Sequence, residues 1–407
     1  MRHRTTMSTE TASSVTEASL RNRVREALER FDPDDRSSAE AMGALYDAGL
    51  AWVWFPSGLG GFDIEPRWQA IVNDEVKELG GSLRRPRFNP VGTGMAAPIL
   101  VAEARVDQAQ NWLRPMFTGE EIWAQLFSEP TAGSDIAALA TRAVRDGQGW
   151  RVTGQKVWST RAHDAKWAVL VARTDASAPK HKGLTYFVID MDQPGVVVRP
   201  LRQMTGDAEF NEVFLDDAWV PDDQRMGEVD QGWGIVLATL MNERQSITNV
   251  SSTPPQTMQR AIGLYQDRRD ELGPVALDGL VHLWIQDRVI RLTTTRAADM
   301  RKSGSPGAEG SIGKLARTIV NQRLLEFCVD LMGPDGMLYP TEGFDLTKRE
   351  ASKEVLTDVR FQFLRGRAGT IEGGTSEIQR NIIGERVLGL PPEPKVERSL
   401  AGSNVEH

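Results

Sequence analysis

Cysteine is almost missing from this chain: Cys328 is the single one among 407 residues. An intramolecular disulfide is therefore excluded, which fits a reducing compartment. Cys328 sits in Leu324-Leu-Glu-Phe-Cys-Val-Asp-Leu-Met332, an apolar helical pattern that predicts packing rather than a nucleophile. Histidine is scarce, with five in all and no ligand-like spacing, which argues against a metal site. Positive charge is not in excess. The net charge of −8 argues against a general nucleic-acid surface, which is basic. No apolar run is long enough to span a bilayer, and residues 1–19 lack the apolar core of a signal peptide. These absences predict a cytoplasmic protein that neither inserts into membranes nor binds nucleic acid. Residues 1–19, polar and rich in Ser, Thr and Glu, are expected to be a disordered leader, with Met7 as an alternative start. Residues 394–407 are expected to be a disordered tail.

What is present is ordinary for a globular protein, 40% hydrophobic and 26% charged, and long enough for two or three domains or one large compact unit. Its pattern changes twice. In the first block, Leu20, Val24, Ala27, Leu28 and Phe31 form one helical stripe that Pro33 ends. Helices are also predicted over 38–50 and 67–79, the latter closed by Gly80 and Gly81. From Trp123 to about Val220 the chain is rich in β-branched and aromatic residues between Gly and Asp turns. Strands are predicted at 149–154, 167–173, 184–189, 196–198 and 211–215, with a hairpin turn at Asp146-Gly147. After Gly232 helical periodicity returns, over 235–248, 258–272, 277–302, 311–332 and 376–387. This order predicts an α+β fold with a helical domain at 20–122, a middle β domain at 123–234 and a C-terminal helical domain at 235–393.

Three segments carry chemistry. Phe127-Ser-Glu-Pro-Thr-Ala-Gly-Ser-Asp135 is a loop that sets hydroxyls and a carboxylate beside backbone amides, able to hold a polar ring edge or a phosphate. Alone it reads better as a plain Asx or Ser turn. Gly154-Gln-Lys-Val-Trp-Ser-Thr-Arg161 is a strand ending in an aromatic and a hydroxyl, where a Trp is more often core than a platform for a ligand. Thr370-Ile-Glu-Gly-Gly-Thr-Ser-Glu-Ile-Gln-Arg380 is a turn opening straight into a helix, whose amides suit a phosphate or polar ring edge.

In order, spacing and residue type, these segments together resemble the acyl-CoA dehydrogenase family of flavoenzymes, and the resemblance covers nearly the whole chain. It implies an N-terminal helical domain, a barrel-like middle β domain and a C-terminal four-helix bundle, with FAD as cofactor. Phe127 and Ser128 would contact the isoalloxazine ring, Trp158 would pack near it and Thr160 would reach its N5 edge. Gly133 and Ser134 would lie where the flavin phosphates and the CoA chain pass. Gly374, Thr375 and Glu377 match positions near FAD. Tyr265-Gln-Asp-Arg-Arg-Asp-Glu-Leu-Gly273 resembles the family's Tyr-x-x-x-Arg-x-x-Phe-Gly. Arg269 then falls on an Arg that reaches the pyrophosphate of a neighbouring subunit's FAD, and Leu272 replaces the Phe. The family's Gln-x-x-Gly-Gly-x-Gly is altered to Leu331-Met-Gly-Pro-Asp-Gly336. Such changes resemble members assembled from two different chains.

The reaction implied is α,β-desaturation of an acyl-CoA thioester, with a Glu removing the α-proton as hydride leaves for flavin N5. The carbonyl must be polarised by hydrogen bonds, and the base needs a dry pocket that raises its pKa. Many members carry the base immediately before the single Gly of Glu-Gly-Thr. Aligned on Gly-Thr-Ser-Glu, that position here is Gly373, and Glu372 is displaced by one. Others use a Glu-Arg pair on the first long C-terminal helix, matched here by Glu243 and Arg244. Glu243 is the expected base and Glu372 the alternative, with Arg244, Ser134, Glu372 and Gly373 on the substrate side. An electron-transfer flavoprotein is the implied electron acceptor. A dimer or tetramer, or assembly with a related dehydrogenase subunit, is implied by FAD sharing. A flavin oxidase or monooxygenase of the same fold, and a partner subunit of a mixed assembly, are the competing readings.

Overall fold

The computed structural model describes residues 15–82, 89–249, 256–302, 309–339 and 353–392. The predicted leader lies outside them except for residues 15–19, as does the whole tail. The described chain clusters into two compact units, the first running to Ile247 and the second starting at Thr248.

The first unit opens with helices. In α1 (Glu17–Leu28) the Thr16 and Ser19 side chains cap each other's amides, and Leu20, Val24 and Leu28 are buried. The predicted stripe is thus present, but the helix stops short of Phe31. Ser38 caps α2 (Ala39–Asp47) through the Ala41 amide, as Ser does where the first-turn N–H groups lack intrahelical partners. In α3 (Gln69–Glu78) Glu75 is buried and its carboxylate meets Arg21 and Arg25 of α1 at 2.6 Å each. A π-helical turn at Val91–Ala96 leads into α4 (Ala97–Glu103), and α5 (Val106–Thr118) ends at Gly119 with φ 76°.

Eight strands follow: β1 (Ile122–Leu126), β2 (Arg142–Asp146), β3 (Gly149–Thr160), β4 (Ala165–Arg173), β5 (Leu184–Asp190), β6 (Val196–Leu201), β7 (Phe210–Pro221) and β8 (Arg225–Met226). Their order is β6-β7-β3-β2-β4-β5-β8, with β1 alongside β4. Asp146 pairs with Gly149 across a two-residue turn in which Gly147 has φ 50°, as the Asp-Gly signal predicts. The sheet does not close into the expected barrel. Its terminal strands do not pair with each other; β6 keeps alternate residues exposed, and β8 is too short to extend a ladder.

The strand alternation divides the core. Val169 and Val171 of β4 face the helical side, whereas Ala168, Leu170 and Ala172 face a second apolar cluster with Trp150 and Phe187. Helix α6 (Gly232–Asn249), expected to open the C-terminal domain, packs within this first unit as far as Ile247. Its Val236 joins the core that holds Phe127 and Tyr186.

The second unit is helical: α7 (Gln256–Asp267), α8 (Pro274–Lys302), α9 (Glu309–Met332), α10 (Lys353–Thr357), α11 (Val359–Arg365) and α12 (Ser376–Arg386). α9 is central, with α7, α8, α11 and α12 packed on it. Its core gathers Met258, Ala261, Leu280, Leu324, Leu325 and Cys328. Burial of Cys328 pushes its thiol up to about 12, as expected for a packed rather than reactive thiol.

Candidate active site

In the first unit the site is built around the loop leaving β1. Phe127 is buried and its ring stands edge-on to Tyr186, with centroids 5.8 Å apart. The Val157 amide donates to the Ser128 carbonyl at 2.9 Å, and Glu129 and Ala132 exchange backbone hydrogen bonds. These contacts lay the loop against β3, bringing Phe127 and Ser128 beside the strand that carries Trp158 and Thr160.

Two residues not singled out in the sequence hold this loop. Lys156, wholly buried, donates to the Phe127 carbonyl (3.1 Å), the Val171 carbonyl (2.9 Å) and Glu129 Oε1 (2.9 Å). The Glu129 carboxylate also accepts from the amides of Ala140 (2.7 Å) and Thr141 (2.9 Å). Burial pushes the Lys156 ammonium down to about 8, opposed by Glu129. Burial also works to raise the Glu129 carboxyl, but the Lys156 charge and the hydrogen bonds from Thr141 and Ala140 outweigh it and hold it low. The signal was available: a Lys at an inward strand position must be paired when buried. Farther along the loop, Arg173 holds the carbonyls of Ala137 and Leu139, and Lys180 pairs with Asp135 at 2.9 Å.

The outer side of this frame suits a ligand. A trans peptide points C=O and the following N–H in opposite directions. With the Phe127 carbonyl fixed on Lys156, the Ser128 N–H faces away from the sheet, and it has no hydrogen bond among the described residues. Gly133 and Ser134 are exposed. A Cβ on Gly133 would meet nothing of the described residues within 4 Å, so packing among them does not demand its glycine. Trp158 is not core. It is 60% exposed with φ 62°, at a register break between Lys156 and Ser159 in the β3–β7 ladder. Its ring stands edge-on to Phe210 at 5.8 Å. A bulky residue in left-handed backbone at a bulge is strained and typical of binding sites. Thr160, half-buried, lies opposite Phe210.

Helix α6 meets the same frame. Buried Thr239 forms a 3.1 Å hydrogen bond with the Tyr186 hydroxyl, and Tyr186 in turn contacts Phe127. Glu243 follows Thr239 by one turn on the face of Val236, Thr239 and Leu240, about 6 Å along the axis, and is half-buried. The side chain of Arg244 lies outside the described residues.

In the second unit Gly373 and Gly374 are both left-handed, with φ 64° and 88°, a conformation glycine adopts without strain. A Cβ on Gly374 would fall 2.6 Å from Gln379 Nε2. The Gln379 amide donates to both glycine carbonyls (3.2 and 3.4 Å), and Lys314 Nζ to that of Gly374 (2.6 Å). Thr375 caps α12 through the Ile378 amide at 3.3 Å. With the carbonyls held, the Gly374 and Thr375 amides point the other way at a helix N-terminus, suited to an anion or polar ring edge. Glu377 is exposed and paired with Arg380 at 3.1 Å. Glu372 is exposed and paired with Arg365 at 3.1 Å. Arg269, in the turn after α7, is exposed and has no partner among the described residues, unlike Arg268, which binds Glu271 and the Leu331 carbonyl.

Models of the acyl-CoA dehydrogenase N-terminal, middle and C-terminal domains match residues 5–120, 124–218 and 230–388. Acyl-CoA dehydrogenase IpdE1 of Mycobacterium tuberculosis is 34% identical, covering 86% of this chain and 87% of that one. The chain belongs to the acyl-CoA dehydrogenase family. Acyl-CoA dehydrogenase FadE34 of Mycobacterium tuberculosis is 37% identical over 86% of this chain, but the match spans only 46% of FadE34, about half its length. A solved structure described as the Tcur3481-Tcur3483 steroid ACAD has the same fold, with TM-score 0.72 and 23% identity, covering 93% of this chain and 97% of the other. The family is FAD-dependent, and the outward Ser128 amide, the strained exposed Trp158 and the held Gly-Gly turn are features that fit such a cofactor.

Proposed function

We propose that the chain catalyses α,β-dehydrogenation of an acyl-CoA thioester with Glu243 as the base that removes the α-proton. The observation that carries this is the line Phe127–Tyr186–Thr239, which fixes α6 against the loop framed by Lys156 and Glu129, with Glu243 one turn beyond. A half-buried carboxylate on the helix face of Val236 and Leu240 is placed for proton abstraction better than an exposed one, the situation of Glu372. Phe127, Ser128, Gly133, Ser134, Trp158 and Thr160 hold the ring and phosphates of an FAD, and in the second unit Gly374, Thr375 and Glu377 are read as a further FAD-binding surface. Bound FAD supplies a hydride acceptor; the residues of this chain bind and orient the thioester, exclude water and take its α-proton. Electrons leave to an electron-transfer flavoprotein. Arg269, exposed and without a partner among the described residues, is read as reaching the FAD of a neighbouring subunit, either a second copy or a related dehydrogenase chain.

The test is flavin bleaching by substrate under anaerobic conditions, after a screen of straight-chain, branched and ring-bearing acyl-CoAs against the native enzyme. Glu243→Gln is expected to slow bleaching by about 10²–10⁴-fold, the usual worth of a positioned proton acceptor. Glu372→Gln is expected to stay within a few-fold of the native rate. Fast bleaching in Glu243→Gln together with its loss in Glu372→Gln reverses the assignment.

A further inference from the structure

We infer that the buried Lys156–Glu129 pair is the positioning element of the flavin loop, setting the orientation of the Ser128 amide and of the Trp158 bulge toward the cofactor. The inference rests on the reading of this loop as the flavin site. Three consecutive loop residues are clamped by two adjacent residues of β3. The Phe127 carbonyl accepts from Lys156 Nζ, the Ser128 carbonyl from the Val157 amide and the Glu129 side chain from Lys156 Nζ. Both ends of the clamp are anchored elsewhere, Lys156 to the Val171 carbonyl of β4 and Glu129 to the amides of Ala140 and Thr141. The loop is thereby tied at its start, at residues 140–141 and to two strands. Because the Phe127 carbonyl and the Ser128 N–H belong to one trans peptide, holding that carbonyl on Lys156 turns the Ser128 N–H away from Lys156. The clamp also ends where the strand is strained: Lys156 is the last residue in register before the break that gives Trp158 its left-handed φ. A purely packing role needs no such arrangement, since an apolar side chain of similar volume fills the same space without burying an ion pair.

Lys156 and Glu129 touch no reacting atom in this account, so they are positioning residues, and their variants separate cofactor geometry from simple stability. The experiment compares FAD affinity of the apoprotein, the visible circular dichroism of bound flavin and the Tm in Lys156→Met, Glu129→Gln and Lys156→Arg. The control is Glu75→Gln, which breaks another buried ion pair in the same unit far along the chain. Lys156→Met and Glu129→Gln are expected to weaken FAD binding by about tenfold or more relative to Glu75→Gln at a matched loss of Tm, the cost of one lost charge-assisted hydrogen bond. They are also expected to change the flavin dichroism, with partial recovery in Lys156→Arg. Should Lys156→Met not fold, Glu129→Gln, which keeps the shape and one acceptor oxygen, carries the comparison. FAD affinity and dichroism that follow Tm alone, as in Glu75→Gln, overturn the inference. Failure of the native protein itself to bind FAD overturns instead the reading of the site on which it rests.

Discussion

Trp158 shows how a single residue can be unfavourable for folding and useful for binding. Its left-handed φ costs about 1–3 kcal/mol in a bulky residue, and its exposed ring recovers little of that by burial. Glycine adopts the same backbone without strain. Trp158→Gly is therefore expected to leave the apoprotein Tm unchanged or higher while weakening FAD binding by about tenfold, since an aromatic contact of this kind is worth ~0.5–1.5 kcal/mol beyond its buried area. A variant that loses stability and keeps its FAD would show that the ring serves packing instead. Cys328 behaves in the opposite way. Wholly buried, with its thiol pushed up to about 12, it is expected to resist thiol reagents in the native protein at pH 8 and to react fully in denaturant. The sequence reveals the identity of such residues unevenly. Cys328 is legible from its apolar helical surroundings, and the loop and turn residues from their motifs. The exposure of Trp158 is not, because it follows from a bulge set by pairing with β7. Lys156 and Glu129 lie 27 positions apart, and only the docking of the β1 loop on β3 brings them together.

At the scale of elements, the long helices α8 and α9 are readable to within a few residues, because apolar residues recur at helical spacing over many turns. Strands are less so. β7 runs well past its predicted segment because the register shifts of its ladder with β3 interrupt the two-residue alternation. β8, with two residues, has no pattern to read. What joins elements is less legible still, and α1 with α3 shows its energetic weight. The Glu75 carboxyl, buried against Arg21 and Arg25, is opposed by its own burial, yet the hydrogen bonds from the two guanidiniums hold it below its ordinary 4.5. A depressed folded-state pKa stabilises the fold above the ordinary value, and that contribution is lost as pH falls through the folded one. Acid unfolding should therefore steepen below pH 4.5. In Glu75→Gln this steepening should shrink while neutral-pH stability falls by about 1–3 kcal/mol. An unchanged acid transition in that variant would remove α1–α3 pairing as its source.

At the scale of the whole molecule, α8 carries an exposed apolar face. Leu277, Val281, Trp284, Ile285, Val289 and Leu292 are all exposed, and their spacing of three and four residues places them on one face. Leu280, Leu283 and Ile290 turn inward, so α8 is apolar on two sides and only one of them is covered among the described residues. A continuous exposed apolar stripe of this length marks an association surface, consistent with the proposal that FAD sites are shared between subunits through Arg269. Light scattering is expected to find a dimer or larger assembly, and Val281→Glu with Ile285→Glu to yield a monomer of unchanged helical content, since each buried aliphatic side chain contributes about 1.5–3 kcal/mol that a buried carboxylate reverses. The monomer should bind FAD more weakly. Arg269→Ala should lower FAD affinity by about tenfold or more without dissociating the assembly, because only a charge-assisted contact is lost. The two variants separate the two claims. A monomer with native FAD affinity would leave α8 as an interface unrelated to the cofactor, and a native protein that is monomeric at micromolar concentration would remove the interface itself.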